Sequence, residues 1–386
     1  MWPVLENPMR APLIWTGRSA PSAVVCAVLS LSCADGGTDG TSDTTTDSDA
    51  AAAAADFLGA FDADGLVAPI TEEACTLSSG VETTCWRVEL KGAPSDHEVG
   101  PFCPRSIDDG PESAGIWIES GDVYDVDGAF IVGLADFYND PEWQLYDEVT
   151  GLVNVTDSEA SCSAAARPDV DPQYNNYCVE CSLDYVDGGI ATTVLIPKVP
   201  VPIDTPLEIR GAALVGVALN GVAFDPPAPV QAILGAHTIA AFDDCGGHVN
   251  LIAGYHYHAA TGCSKEVASD DGHAARIGYA LDGYAITARV NEDGEEPADL
   301  DECRGHTDAA RGYHYHAAYA GENLFVGCFH GDIAASEAGG AGPGGGGGGG
   351  GQPPVADCAP GQTSMCCGDG VCDGPETADN CAADCG

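Results

Sequence analysis

Asp244-Cys245-Gly246-Gly247-His248 is followed by Gly254-Tyr255-His256-Tyr257-His258-Ala259-Ala260, and Glu302-Cys303-Arg304-Gly305-His306 by Gly312-Tyr313-His314-Tyr315-His316-Ala317-Ala318, at a constant offset of 58 residues. The doubling governs how the rest of the chain is read, because a repeated stretch is a fold unit copied whole. Upstream, Gly216 to Phe224 (GVALNGVAF) mirrors Gly278 to Ile286 (GYALDGYAI) at an offset of 62, so one connecting loop differs in length. Each copy reads as a hairpin, a Cys-x-Gly-His turn and a strand. Asn220-Gly221 and Asp282-Gly283 predict type I′ hairpins, whose two central positions both need positive φ. In Tyr-His-Tyr-His a period of two puts both phenols on one face and both imidazoles on the other. His256 and His258 then point the same way, roughly 7 Å apart at Cβ, within reach of one ion. His314 and His316 repeat the arrangement, and a third imidazole, His248 or His306, precedes the first strand histidine by eight residues in both copies.

These paired motifs, with the Asp/Glu-Cys-x-Gly-His turns and the Gly-Tyr-Ala-Leu-Asp-Gly hairpin, resemble the YHYH-domain family of bacterial and some eukaryotic extracytoplasmic proteins. The resemblance covers about residues 190 to 331, and the stretch from Cys75 to Cys181 is similar to the extension that longer members carry. The family name describes a motif and implies no particular activity. One departure stands out: after Asp282-Gly283 the family tends to run Phe or Tyr, Pro, Ile, Tyr, whereas this chain has Tyr284-Ala285-Ile286-Thr287.

Three imidazoles per copy, His248, His256 and His258 with His306, His314 and His316, suit a transition metal, since neutral histidine is the commonest nitrogen ligand. Sulfur is the weaker candidate: the four cysteines of this region pair naturally as Cys245 with Cys263 and Cys303 with Cys328, one pair per copy, and a disulfide sulfur does not ligate as a thiolate does. Methionine occurs only at positions 1, 9 and 365, so a thioether site for Cu(I) has no source, leaving Zn or Cu(II). Asp243, Asp244, Asp301 and Glu302 stand beside the turns as candidate acceptors for ring N–H groups or as an additional oxygen ligand. The competing reading packs the tyrosines inward and leaves the histidines on a solvated face of a structural or adhesion module. A third reading is a metal-dependent hydrolase or oxidase, although no Ser-His-Asp signature, phosphate loop or acid/base pair accompanies the histidines. His237, His273 and His330 have no counterpart in the repeat and read as surface or core residues, and His97 as structural.

The 13 Lys and Arg against 60 Asp and Glu give a formal charge of −47, which repels a phosphate backbone and excludes nucleic acid as a partner. With 50 Gly and 25 Pro the chain is turn-rich, and short β-branched runs at Gly115–Glu119, Ala129–Gly133 and Thr192–Ile196 predict a mainly β fold with a few short helices, near Pro141–Tyr146 and at Asp157–Ala166 with Thr156 or Asp157 as N-cap. Eighteen cysteines point to an oxidising compartment, and beyond Cys26 and Cys33 they fall into even blocks of six, four and six, as pairing within blocks requires. Cys178-x-x-Cys181 sits between turn and strand rather than opening a helix, which argues against a redox motif.

The first 33 residues read as an export segment, starting at Met1 or, more simply, at Met9. Leu29-Ser30-Leu31-Ser32-Cys33 resembles a bacterial lipoprotein signal, with Cys33 lipid-anchored; a cleaved secretory signal is the alternative. The expected organisation is signal peptide 1–33, disordered linker 34–56, N-terminal extension 57–189, YHYH domain 190–336 with repeats at 214–263 and 276–328, glycine-rich linker 337–354, and Cys-rich module 355–386. That last module is similar to short tails of secreted myxobacterial proteins. It is too small to close a core without disulfides, and suits an envelope or extracellular protein partner, with Ca a candidate on Asp369, Asp373 or Glu376. Asp62–Gly65 and Asp125–Gly128 hold part of a calcium-loop pattern without its continuation and read as solvated turns.

Overall fold

The computed structural model describes residues 44–167, 169–209 and 214–338. Residues 1–33, read above as an export segment, the glycine-rich stretch from residue 339 onward and residues 355–386, read as a Cys-rich module, lie outside them. The chain divides into two compact units, Met1–Ser48 and Asp49–Gly386; apart from the first residues of one helix, every described element belongs to the second.

Helix α1 (Thr44–Ala60) leads to the hairpin β1 (Thr71–Thr76) and β2 (Glu82–Leu90). A second hairpin, β3 (Ile116–Glu119) with β4 (Asp122–Asp125), is followed by α2 (Gly128–Phe137), α3 (Glu159–Ala165) and the short β5 (Cys178–Val179). Strands β6 (Thr192–Pro197) and β7 (Pro202–Glu208) precede the repeat region. Its first copy supplies β8 (Gly216–Ala218), β9 (Ala223–Phe224), α4 (Val230–Leu234), β10 (Ile239–Ala240), β11 (Gly247–Asn250) and β12 (Gly254–Tyr257). The second supplies β13 (Arg276–Ala280), β14 (Ala285–Thr287), β15 (Gly305–Asp308) and β16 (Gly312–His316), and β17 (Cys328–Gly331) pairs back on β7. The fold is mainly β, as expected: strand outweighs helix, 30% to 17%.

The central sheet has eight strands in the order β11-β12-β9-β8-β13-β14-β16-β15 among the described residues. The order is palindromic: β12 runs parallel to β9 as β16 does to β14, and the antiparallel pairs β11·β12 and β15·β16 share one register, His248 opposite His256 and His306 opposite His314. Strands β8 and β13 meet antiparallel at the centre. One core joins this sheet to the three-stranded sheet β1-β2-β6 through Val88, Ile196, Val217, Phe224, Tyr279 and Phe329.

Several local expectations change. The alanine run assigned to the linker 34–56 is helical from Thr44, since alanine has the highest helix propensity and Phe57 anchors the helix by stacking 5.3 Å from Trp86. Ala129–Gly133 is not a strand but the first half of α2: Asp127 accepts the Phe130 N–H as N-cap, and Ile131 and Leu134 bury one helical face. Pro141–Tyr146 forms no helix, whereas α3 is present with Ser158 rather than Thr156 or Asp157 as its cap. Both hairpin turns are type I turns closed by a glycine bulge. Only Gly221 (φ 90°) and Gly283 (φ 91°) are left-handed, whereas Asn220 and Asp282 keep negative φ, so the two positive φ values of a type I′ turn are not present.

Five disulfides form among the described residues. Cys245–Cys263 and Cys303–Cys328 are joined as expected, and Cys178 and Cys181 pair separately, with Cys103 and Cys162, so they are not a dithiol couple. This density of crosslinks fits an oxidising, extracytoplasmic setting. No helix among the described residues is long and apolar enough to cross a membrane.

Candidate metal centres

Alternation along the two Tyr-His-Tyr-His strands sorts the side chains as the period of two requires, but both faces are covered. His256, His258, His314 and His316 are all buried, so the reading that left them on a solvated face does not hold. On the phenol face each motif tyrosine reaches a polar partner. Tyr255 donates to Asp243 (2.8 Å) and Tyr313 to Asp301 (2.9 Å), while Tyr257 meets Asn220 (2.8 Å) and Tyr315 donates to Asp282 (2.5 Å). Burial pushes the Asp282 carboxyl up to about 6 despite the Tyr315 hydroxyl and the Gly331 N–H that it accepts. Asp243 and Asp301 therefore orient tyrosines and do not receive ring N–H groups as expected, and no such contact involves Asp244 or Glu302 among the described residues.

The glycine of each Cys-x-Gly-His turn is explained on the same face. A Cβ on Gly247 would lie 2.5 Å from the Tyr255 hydroxyl, and one on Gly305 only 2.1 Å from that of Tyr313. Glycine lets the phenol cross the turn, and the next residue, His248 or His306, enters the outer strand aimed at its partner histidine.

On the other face two imidazole clusters form. Site 1 comprises His248, His256 and His258, and site 2 comprises His306, His314, His316 and His273, with one ligand-type atom from each residue lying within 4.8 Å of all the others in its cluster. The six histidines singled out by the repeat thus assemble as two threes, and His273 joins the second. His273 lies three residues before the second copy (276–328), and 62 residues upstream of it stands Gly211, so no repeated histidine marks it. Requiring a counterpart in both copies concealed it. His330 stacks on Tyr313 at 3.8 Å, and His97 sits beside Tyr257 (3.4 Å), both on the phenol face. His237 contacts Asp140 at 2.8 Å in a separate, more exposed group with Glu142.

Ring orientation is fixed from behind. His256 Nδ1 faces the Gly254 carbonyl (3.0 Å), His258 Nδ1 that of Pro226 (2.7 Å), His314 Nδ1 that of Gly312 (3.1 Å), His316 Nδ1 that of Ala288 (3.1 Å) and His273 Nδ1 that of Ala274 (3.0 Å). His306 Nδ1 instead meets the Asp299 carboxylate at 2.9 Å. Carbonyls and carboxylates only accept, so each of these Nδ1 atoms carries the hydrogen and each neutral ring presents Nε2 as a bare lone pair. In site 2 those lone pairs face one another: His314 Nε2 lies 3.0 Å from His306 Nε2 and 2.9 Å from His273 Nε2, and the buried Nε2 of His316 has no hydrogen-bond partner among the described residues. In site 1 His248 Nε2 lies 3.0 Å from His256 Nε2.

Protonation of four of these rings is disfavoured. Burial, then the neighbouring imidazoles, holds His248 well below the ordinary imidazole value and takes His316 down to about 3; burial and the His256 ring take His258 to about 3. His314 is lowered as well, chiefly by burial. Beside site 1, Asp225 Oδ2 is 3.8 Å from His256 Nε2, and burial raises the Asp225 carboxyl.

A family model described as YHYH protein matches residues 193–299. The chain carries a YHYH domain. No curated protein and no solved structure matches the chain. The matched span of the YHYH domain includes all of site 1 and His273 of site 2. Strands β15 and β16, with the other three histidines of site 2, follow directly after it.

Proposed function

We propose that this protein binds a transition metal, Zn or Cu(II), at two histidine centres, in an extracytoplasmic location and tethered by lipid at Cys33. The supporting observation is site 2. Three rings whose Nδ1 hydrogens are committed elsewhere direct Nε2 lone pairs at one another at 2.9 to 3.0 Å. Without a shared cation that arrangement is repulsive, and burial disfavours protonating His314, the ring that both others face. The spacing suits a metal: tetrahedral Zn–N bonds of about 2.0–2.1 Å separate neighbouring nitrogens by about 3.3 Å. The backbone carbonyls, and Asp299 behind His306, play the outer role that fixes tautomer and ring direction at metal sites.

Elemental analysis of the full chain after dialysis at neutral pH tests the reading. Two equivalents of metal are expected for the wild type and one for either His256→Ala or His314→Ala. The double variant should hold none while mass spectrometry shows the same disulfides. Clearly sub-stoichiometric metal in the wild type would count against the proposal.

A further inference from the structure

The two centres differ in what completes them. Site 2 has four imidazoles, enough to fill a tetrahedral sphere. Site 1 has three. Its fourth neighbour follows from register: Phe224 pairs with Tyr257 as Ile286 pairs with Tyr315, so Asp225 and Thr287 occupy corresponding places. Thr287 donates its hydroxyl to the Tyr315 carbonyl at 2.9 Å. Asp225, with 18% of its side chain exposed, keeps a buried Oδ1 that has no hydrogen-bond partner among the described residues.

His248, His256, His258 and Asp225 all line a cavity of about 390 Å³. Its other walls include Phe102, Val179, Pro229, Ile233 and Ala241. A water occupies about 30 Å³, so the space suits a small organic molecule, at the lower end of ligand-pocket volumes. Arg167, the one cation among the described lining residues, pairs with Asp169, and Glu180 faces Arg105. Among the described lining side chains no unpaired cation is left to bind an anion, so the metal is the one positive charge there, and the Asp225 carboxylate beside it opposes an anionic ligand.

Resting on the metal reading of the two centres, we propose that site 1 is an open centre that takes a neutral, largely apolar small molecule through a single nitrogen or oxygen donor, whereas site 2 is closed. The different fourth positions separate the roles: an added imidazole completes one centre, whereas at the other the Asp225 carboxylate stands outside the set of mutually close ligand atoms and leaves a coordination position toward the apolar chamber.

The test uses the full chain loaded with Co(II), whose visible absorption reports coordination, titrated with imidazole and with 4-phenylimidazole. Two cobalt ions per chain are expected, with a spectral change on adding 4-phenylimidazole and an affinity about tenfold or more above that of imidazole, because the phenyl ring leaves water for the cavity. The response should vanish in His256→Ala and persist in His314→Ala. Ala232→Phe, on the cavity wall, should keep both ions and lose the phenyl advantage. Two bound cobalt ions with no spectral response, or with equal affinities for the two probes, would overturn the open-site proposal and leave the metal reading standing. Failure to bind cobalt would overturn both.

Discussion

Tyr255 shows how the motif works one side chain at a time. Its hydroxyl is the buried partner of Asp243, a carboxylate that also accepts N–H groups from Gly100, Cys245 and Gly247 and so holds the turn in front of His248. Tyr255→Phe removes one donor from a buried carboxylate and should lower stability by about 1–3 kcal/mol in urea melts, with a smaller loss for Tyr313→Phe, whose phenol is less buried. The histidines impose a pH dependence of definite sign on the metal-free protein. His258 is held at about 3, against about 6.5 in an unfolded chain. Above about 6.5 it is neutral in both states; as pH falls further, the unfolded chain takes up a proton that the folded one refuses, so stability is lost progressively from about 6.5 toward 3. At pH 5 that single residue should cost about 2 kcal/mol, and His316 adds in the same direction. Melts of chelator-treated protein that are flat between pH 7 and 5 would contradict the burial of these rings as neutral groups.

At the scale of elements, alternation was the reliable signal and local propensity the unreliable one. Tyr-His-Tyr-His sorted into a phenol face and an imidazole face because side-chain direction in a strand is set by backbone geometry alone. Ala129–Gly133 misled because Phe, Ile and Val are frequent in strands. Its helical state is decided by Asp127 before it and by burial of Ile131 and Leu134, which only the neighbouring elements provide. Asp127→Ala should therefore destabilise by about 1 kcal/mol, measured by chemical denaturation, since it leaves the first turn of α2 without its side-chain acceptor. The alanine run of α1 was misassigned for the complementary reason. Its composition alone buries little, yet Phe57 packs into the core and Asp56 pairs with Arg276 at 2.6 Å, giving the helix something to hold.

Across the whole molecule, the disulfides connect the turns to the rest of the fold. Cys303 lies three residues before His306 and is buried, and its bond to Cys328 closes a separation of 25 residues between the site 2 turn and β17. Replacing both with serine should cost about 3.5 kcal/mol by the loop-closure argument. Thermal melts should show that loss, with metal at site 2 released before metal at site 1. The opposite order would mean that the turn is held without its crosslink.

The repeat, its two offsets, the faces of its strands, the disulfide partners within each copy and six of the seven clustered histidines were all readable from the chain, because each depends on spacing and period. Three features were decided only by tertiary structure. His273 and Asp225 reach their clusters across segments that spacing does not bring together, the Pro226, Ala274 and Ala288 carbonyls that fix three of the tautomers belong to loops packed behind the rings, and the cavity beside site 1 is bounded by residues that include Phe102 and Ala241. Period tells which way a side chain points; what it meets there depends on how distant segments pack.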